Sequence, residues 1–170
     1  LAWRRDHAFD PASVAVLTPL ISRNFAAVMP FDRPKTALEA KFSLPFVVAG
    51  PMIAGRLGLG ELTDAFVTRP DVVALMGKVE PVITDVFDPD YPAAAPEDYV
   101  DIHFHDGRVV RTPPVKRASG HADRPLSEAD LEAKFMDCTA KAGMERARAG
   151  QLFAALARVD DLVSTAEITT

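Results

Sequence analysis

Lys41 and Ser43 stand two residues apart inside the most apolar stretch of the chain, Thr36 to Leu57, TALEAKFSLPFVVAGPMIAGRL. An ammonium group set among apolar residues must find water, a carboxylate or a ligand. A nearby hydroxyl adds one donor and two acceptor lone pairs. Together they suit one wall of a small-molecule site. Pro45 follows Lys41 by four residues and Pro51 follows Val47 by four. Proline has no N–H to give, so a helix running through both positions bends there and leaves the carbonyls of Lys41 and Val47 without their usual donors. Two readings stay open: one wall of a small-molecule site, or a core helix whose prolines serve packing and whose Lys41 reaches solvent.

Other groups carry weaker signals. His103-x-His105 sets two imidazoles on one face of a strand, a spacing used by some metal sites. Asp101 or His121 would have to supply a third ligand, and the alternative is a pair of solvated histidines. Asp85, Asp88 and Asp90 lack the glycine and glutamate that a calcium loop needs, and so read as loop-shaping residues. Cys138 is the only cysteine. It cannot form an intrachain disulfide, which fits a reducing cytoplasm, and its place on an apolar helix stripe reads as an inert core thiol. Phosphate-cradling loops, nucleophile elbows, zinc-protease helices and paired-cysteine sites are absent from the sequence. Nothing here implies a metal or another cofactor.

The elements that must position these groups follow from patterning. Thr36 and Glu39 form a capping box that starts a helix, and from Phe42 to Ala54 only Ser43 is polar. That run is too short and too rich in proline to span a bilayer. Residues 1–11, with Trp3, read as an irregular lead-in, and Val14 to Leu20 as a strand despite Pro19. Asn24 to Met29 suggests a helical turn, Glu61 to Val67 a short helix, Pro70 to Met76 a helix stopped by Gly77, and Val79 to Thr84 a strand. The proline-rich stretch Asp85 to Pro96 is a long loop. Tyr99 to His105 alternates strictly, with Val100, Ile102 and Phe104 on one face, and Asp106-Gly107 turns the chain into a partner strand, Arg108 to Val115. Glu128 to Ala142 and Met144 to Ala157 are helices, with a last turn at Asp160 to Ser164. One strand, then helices, then three strands in a row, then helices predicts an α+β fold with an antiparallel sheet and segregated helices.

With 170 residues, 48% hydrophobic and 25% charged, and a net charge of −5, the chain is globular and not built to bind nucleic acid or an anionic membrane surface. No secretory signal is visible.

The string Leu38 to Phe46, LEAKFSLPF, occurs in order with GRLGLGELTDAFV, RPDVVALMGKVE, the Asp106-Gly107 hairpin and GHADRPLSEADLEAKF. This succession resembles the second domain of the MmgE/PrpD family, which includes 2-methylcitrate dehydratase of propionate catabolism, cis-aconitate decarboxylase and iminodisuccinate epimerase. The resemblance implies a cofactor-independent lyase or isomerase acting on a small polycarboxylate. It also implies an α+β lid that closes over a large helical domain bearing the catalytic histidines. On this basis residues 1–126 correspond to the lid, and residues 127–170 to helices packing on it or on the helical domain. The chain begins at Leu1, so the helical half is expected upstream or as a separate chain, with a homo-oligomer as the assembly.

Residue by residue, the resemblance places Lys41 and Ser43 on a motif that meets a substrate carboxylate or moves a proton. Lys41 is the candidate catalytic group, and Ser43 a substrate contact. Phe46 stands near a position where some members carry a tyrosine. Gly120-His121 matches a Gly-His signature, which makes His121 a candidate substrate contact or a residue that fixes its own loop. Two functions from other classes remain: a docking or oligomerising domain, and a module that binds a small acid without catalysis. The first function predicts no turnover by the isolated chain.

Overall fold

The computed structural model describes residues 2–162, 164 and 166–169. The chain forms two compact units, Leu1–Ala118 and Ser119–Thr170. The loop carrying Gly120 and His121 therefore groups with the C-terminal helices.

In the first unit, α1 (Ala2–Asp6) replaces the irregular lead-in that the sequence suggested. Trp3 is buried there, and Arg4 Nε donates to the Met52 carbonyl at 2.9 Å, which ties the segment down. β1 (Val14–Ser22) passes through Pro19 and is longer than its apolar core implied. Leu17 gives its N–H to Lys78 and accepts from Glu80. Two residues on, Pro19 faces the same neighbour, so its missing N–H costs a single bond at an interrupted part of the ladder.

After β1 come α2 (Arg23–Ala27), α3 (Ala37–Ala40), α4 (Leu44–Ala54), α5 (Asp64–Val67) and α6 (Pro70–Met76). The expected single kinked helix from Thr36 is thus two helices. Ser43 caps the second by accepting from the Phe46 N–H at 3.2 Å, and Pro45 lies in its first turn, where a missing N–H has no carbonyl to serve. Pro51 alone interrupts a helix interior. α5 begins later than predicted, because the Glu61 carboxylate accepts from the Gly58 N–H and from Arg56 Nε and holds residues 58–61 as a turn.

β2 (Val82–Thr84), β3 (Tyr99–Phe104) and β4 (Val109–Arg111) complete a four-stranded sheet in the order β2-β1-β3-β4. The α+β class is as read from the sequence, but the sheet is mixed. β1 pairs antiparallel with β3 and β3 with β4, while β2 runs parallel to β1. The helical crossover between β1 and β2 returns the chain to the same end of the sheet, which forces parallel pairing. At the hairpin only Gly107 takes a positive φ, 88°, so Asp106-Gly107 is not the turn with two left-handed residues that the dipeptide suggested. Gly107 donates to the Phe104 carbonyl and Phe104 to that of Arg108. β4 stops before Pro113 and Pro114.

Val14, Leu17, Ile21 and Ile102 on one face of the sheet join Leu44, Phe46, Ala49 and Met52 of α4 and Val72, Leu75 and Met76 of α6 in one core. Burying a side chain of the size of Leu17 or Phe46 contributes about 1.5–3 kcal/mol. The opposite face aligns Thr18, Asp101 and Arg111 in register.

In the second unit, α7 (Glu128–Lys141) and α8 (Arg146–Leu156) pack through Phe135 and Phe153, whose ring centroids are 5.5 Å apart. The inward residue of α7 is Thr139, not Cys138, which is exposed; the apolar spacing misplaced the thiol by one helical position. A 3₁₀ turn at Val159–Asp161 and α9 (Ala166–Thr169) follow. Part of the expected last turn, Val163, lies outside the described residues. No helix among the described residues is long and apolar enough to cross a membrane.

Candidate functional site

The candidate site in the first unit is the three-residue connection, Lys41 to Ser43, that joins α3 to α4. α3 is short and could not stand alone. Three bonds fix its start: Thr36 Oγ1 accepts from the Glu39 N–H, Glu39 Oε2 from the Lys35 N–H at 2.7 Å, and Asp64 Oδ1 from the Ala37 N–H at 2.7 Å. The Glu39 carboxylate thus reaches one residue further back than a capping box requires. Asp64, at the start of α5, is a positioning residue that no local sequence signal announced.

On this base Ala40 is buried, Lys41 and Phe42 are exposed, and Ser43 and Phe46 are completely buried. Phe46 packs edge-on to Phe66, with centroids 6.2 Å apart. The Phe42 carbonyl accepts from the Phe31 N–H at 3.3 Å, which ties the loop after α2 to the turn. Beside Lys41, Leu38 (67% exposed) and Phe42 (48%) present large apolar side chains to solvent, as does Val28 (59%) at the end of α2. Arg33 and Lys35 are exposed beside them, and Asp32 is the exposed acid of the same loop. Among the described residues, no carboxylate or carbonyl pairs with the Lys41 ammonium. The result is a rigid base under a free cation on an apolar ridge. The spacing of Leu38 and Phe42, four apart, was the available signal for that ridge.

Ser43 shares the turn with Lys41, but its hydroxyl is enclosed and accepts from the helix backbone. His121 belongs to the second unit. Its loop is a tight turn: the Gly120 N–H meets the Arg124 carbonyl at 2.8 Å, and the Arg124 N–H meets the His121 carbonyl at 2.8 Å. The side chain of His121 is 40% exposed.

Of the two histidines, His103 on β3 serves the sheet. Thr18 Oγ1 lies 2.9 Å from His103 Nε2 and donates to the Asp101 carbonyl, so His103 supplies the proton of the shared bond. His105 is exposed beyond the strand end. Among the described residues no three His, Cys, Asp or Glu side chains stand close enough together to hold a metal ion.

Several charged groups elsewhere in this unit are paired. Arg111 grips Asp101 with two bonds of 2.7 and 2.8 Å, and this holds the Asp101 carboxyl below the usual carboxylate range. Arg117 pairs with Asp88 at 2.7 Å and lowers it likewise, which pins the loop Asp85 to Pro96. Asp98 is pushed the other way, upward, by burial alone. Lys41 differs from Arg111 and Arg117 in having no partner among the described residues.

A search of curated proteins returns no match. The family model for the MmgE/PrpD C-terminal domain matches residues 1–158. The chain belongs to the MmgE/PrpD family, of which it carries the C-terminal domain.

Proposed function

We propose that this chain is the closing, substrate-contacting part of a cofactor-independent lyase or isomerase that acts on a small polycarboxylate, in the manner of 2-methylcitrate dehydratase. The observation that carries the reading is the Lys41 turn. A cation on a connection between two capped helix starts, flanked by the exposed apolar side chains of Leu38 and Phe42, suits a surface that closes on another.

On closure, displacement of water would strengthen the attraction of Lys41 for a substrate carboxylate. Removal of a proton α to a carboxylate builds negative charge on that group, and a fixed cation there lowers the barrier. Ser43 contributes through the cap that sets the direction of Lys41. The base and the remaining contacts belong to the helical partner, supplied upstream or by a separate chain. His121, in the other unit, is by itself a candidate polar contact for such an acid.

The test is turnover of 2-methylcitrate and related di- and tricarboxylates, by the chain alone and by the chain assembled with a helical domain of the family. Activity is expected in the assembly only, with a loss of at least tenfold in kcat/KM on Lys41→Ala. Turnover by the isolated chain, or full activity of the assembled Lys41→Ala variant, would overturn the proposal.

A further inference from the structure

We infer that the turn at His121 fixes its imidazole as the neutral tautomer protonated on Nε2, so that it offers a hydrogen-bond donor, and not a base, to a carboxylate or carbonyl oxygen of a bound acid. The identity of that acceptor rests on the function proposed above. The tautomer does not.

Gly120, with φ of 93°, takes the left-handed conformation that lets the chain double back, and the Gly120 and Arg124 bonds close the turn. Inside it the Asp123 N–H points at His121 Nδ1, 3.1 Å away. A backbone N–H can only donate, so Nδ1 must present its lone pair. A neutral imidazole has one ring nitrogen of each kind, and the proton therefore resides on Nε2. Nε2 has no partner among the described residues, and the ring is partly exposed. The Asp123 carboxylate oxygen Oδ2 is 3.6 Å from Nδ1, too far for a hydrogen bond to the neutral ring.

His7 shows that this is not a default of the chain. Its Nδ1 lies 2.8 Å from the Trp3 carbonyl, which can only accept, so His7 carries its proton on Nδ1 and leaves Nε2 as an acceptor. The two imidazoles are thus set to opposite tautomers by the backbone groups they meet. With one nitrogen engaged and the other protonated, His121 has no lone pair with which to remove a substrate proton. It can still donate to an oxygen that gains negative charge during reaction. The Asp123 N–H is the positioning group, and it acts only through the ring.

Two measurements test this. The chain labelled with ¹⁵N-histidine is examined by long-range proton–nitrogen correlation at about pH 8, past the ordinary histidine range near 6.5, with the His121 signals assigned by their loss in His121→Gln. His121 should show an unprotonated Nδ1 and a protonated Nε2. Asp123→Pro, which removes the donor N–H from an exposed turn, should return it to a mixture of tautomers. A protonated Nδ1, or no change in Asp123→Pro, would overturn the inference. In the assembled enzyme, His121→Gln keeps a donor and should retain most of the activity lost in His121→Ala; equal loss in both variants would overturn the donor role. The tautomer is read without substrate, so it stands or falls separately from the function proposed above.

Discussion

Two exposed cations in the first unit, Lys41 and Arg111, meet opposite surroundings. Arg111 is held flat on the outer face of the sheet, bonded twice to Asp101 and 3.8 Å above the centre of the Tyr99 ring. Lys41 rises from a turn with no acceptor within reach. The difference lies in what each element spends its polar groups on. Around Arg111 the acid is on the neighbouring strand, directly across the ladder. Around Lys41 two carboxylates are already used by the backbone, Glu39 by the Lys35 N–H and Asp64 by the Ala37 N–H, and the exposed Asp32 makes no bond to it. A paired cation completes a surface, whereas an unpaired exposed one is left to water or to a partner outside the unit.

The sharpest way to break this contrast is to remove the base on which Lys41 stands. Phe46→Ala empties a fully buried site between α4 and Phe66 and should cost about 3–5 kcal/mol in denaturant unfolding. A cost below about 1 kcal/mol would mean that α4 is held by something other than this contact. Ser43→Ala is gentler. It removes the cap, leaves the Phe46 N–H enclosed without an acceptor, and should cost about 1 kcal/mol by the same measurement. Ser43→Asp, which can restore the acceptor, should recover less than an exposed cap would, because the side chain is enclosed.

These two residues also mark how far the sequence could be read. The alternation of Tyr99 to Phe104 and the proline-to-glycine frame of Pro70 to Met76 were legible, because local periodicity and end signals decide them. Lys41 was legible as a charge in an apolar run. The break between α3 and α4 was not: Ser43 looked like a polar residue inside a helix, and only its bond to Phe46 shows it to be a helix start. The parallel pairing of β2 was hidden for a different reason. Three strands adjacent in sequence suggest a meander, but β1 sits between β2 and β3, a long-range fact that no local signal encodes. Asp64 and Asp88 likewise gain their roles from partners far along the chain.

On the Arg111 side the contrast can be probed with pH. Arg111 holds the Asp101 carboxyl below the value near 3.9 that it has when unfolded. The pair therefore stabilises the fold fully above about pH 4, and that contribution is lost as pH falls through the lower, folded value. Asp101→Asn should flatten the acid limb of the stability curve and leave stability at pH 7 only slightly reduced, by less than Ser43→Ala, since exposed pairs contribute little and are screened by salt. An acid limb identical in the wild type and Asp101→Asn would show that the pair is not formed in solution.

Lys41→Ala should have the smallest effect on stability and the most specific one on function. The side chain touches no acceptor, so its removal should change unfolding free energy by less than about 0.5 kcal/mol. Arg111→Ala, by contrast, strips Asp101 of its partner while leaving the Lys41 turn untouched. If closure on an acid is what leaves Lys41 unpaired, kcat/KM of the assembled protein should fall in Lys41→Ala and hold in Arg111→Ala, with the order reversed for stability at neutral pH, a difference that disappears in acid as Asp101 is protonated. A destabilised Lys41→Ala variant would mean that the ammonium already has a structural partner in solution, and the two cations would then differ in position but not in kind.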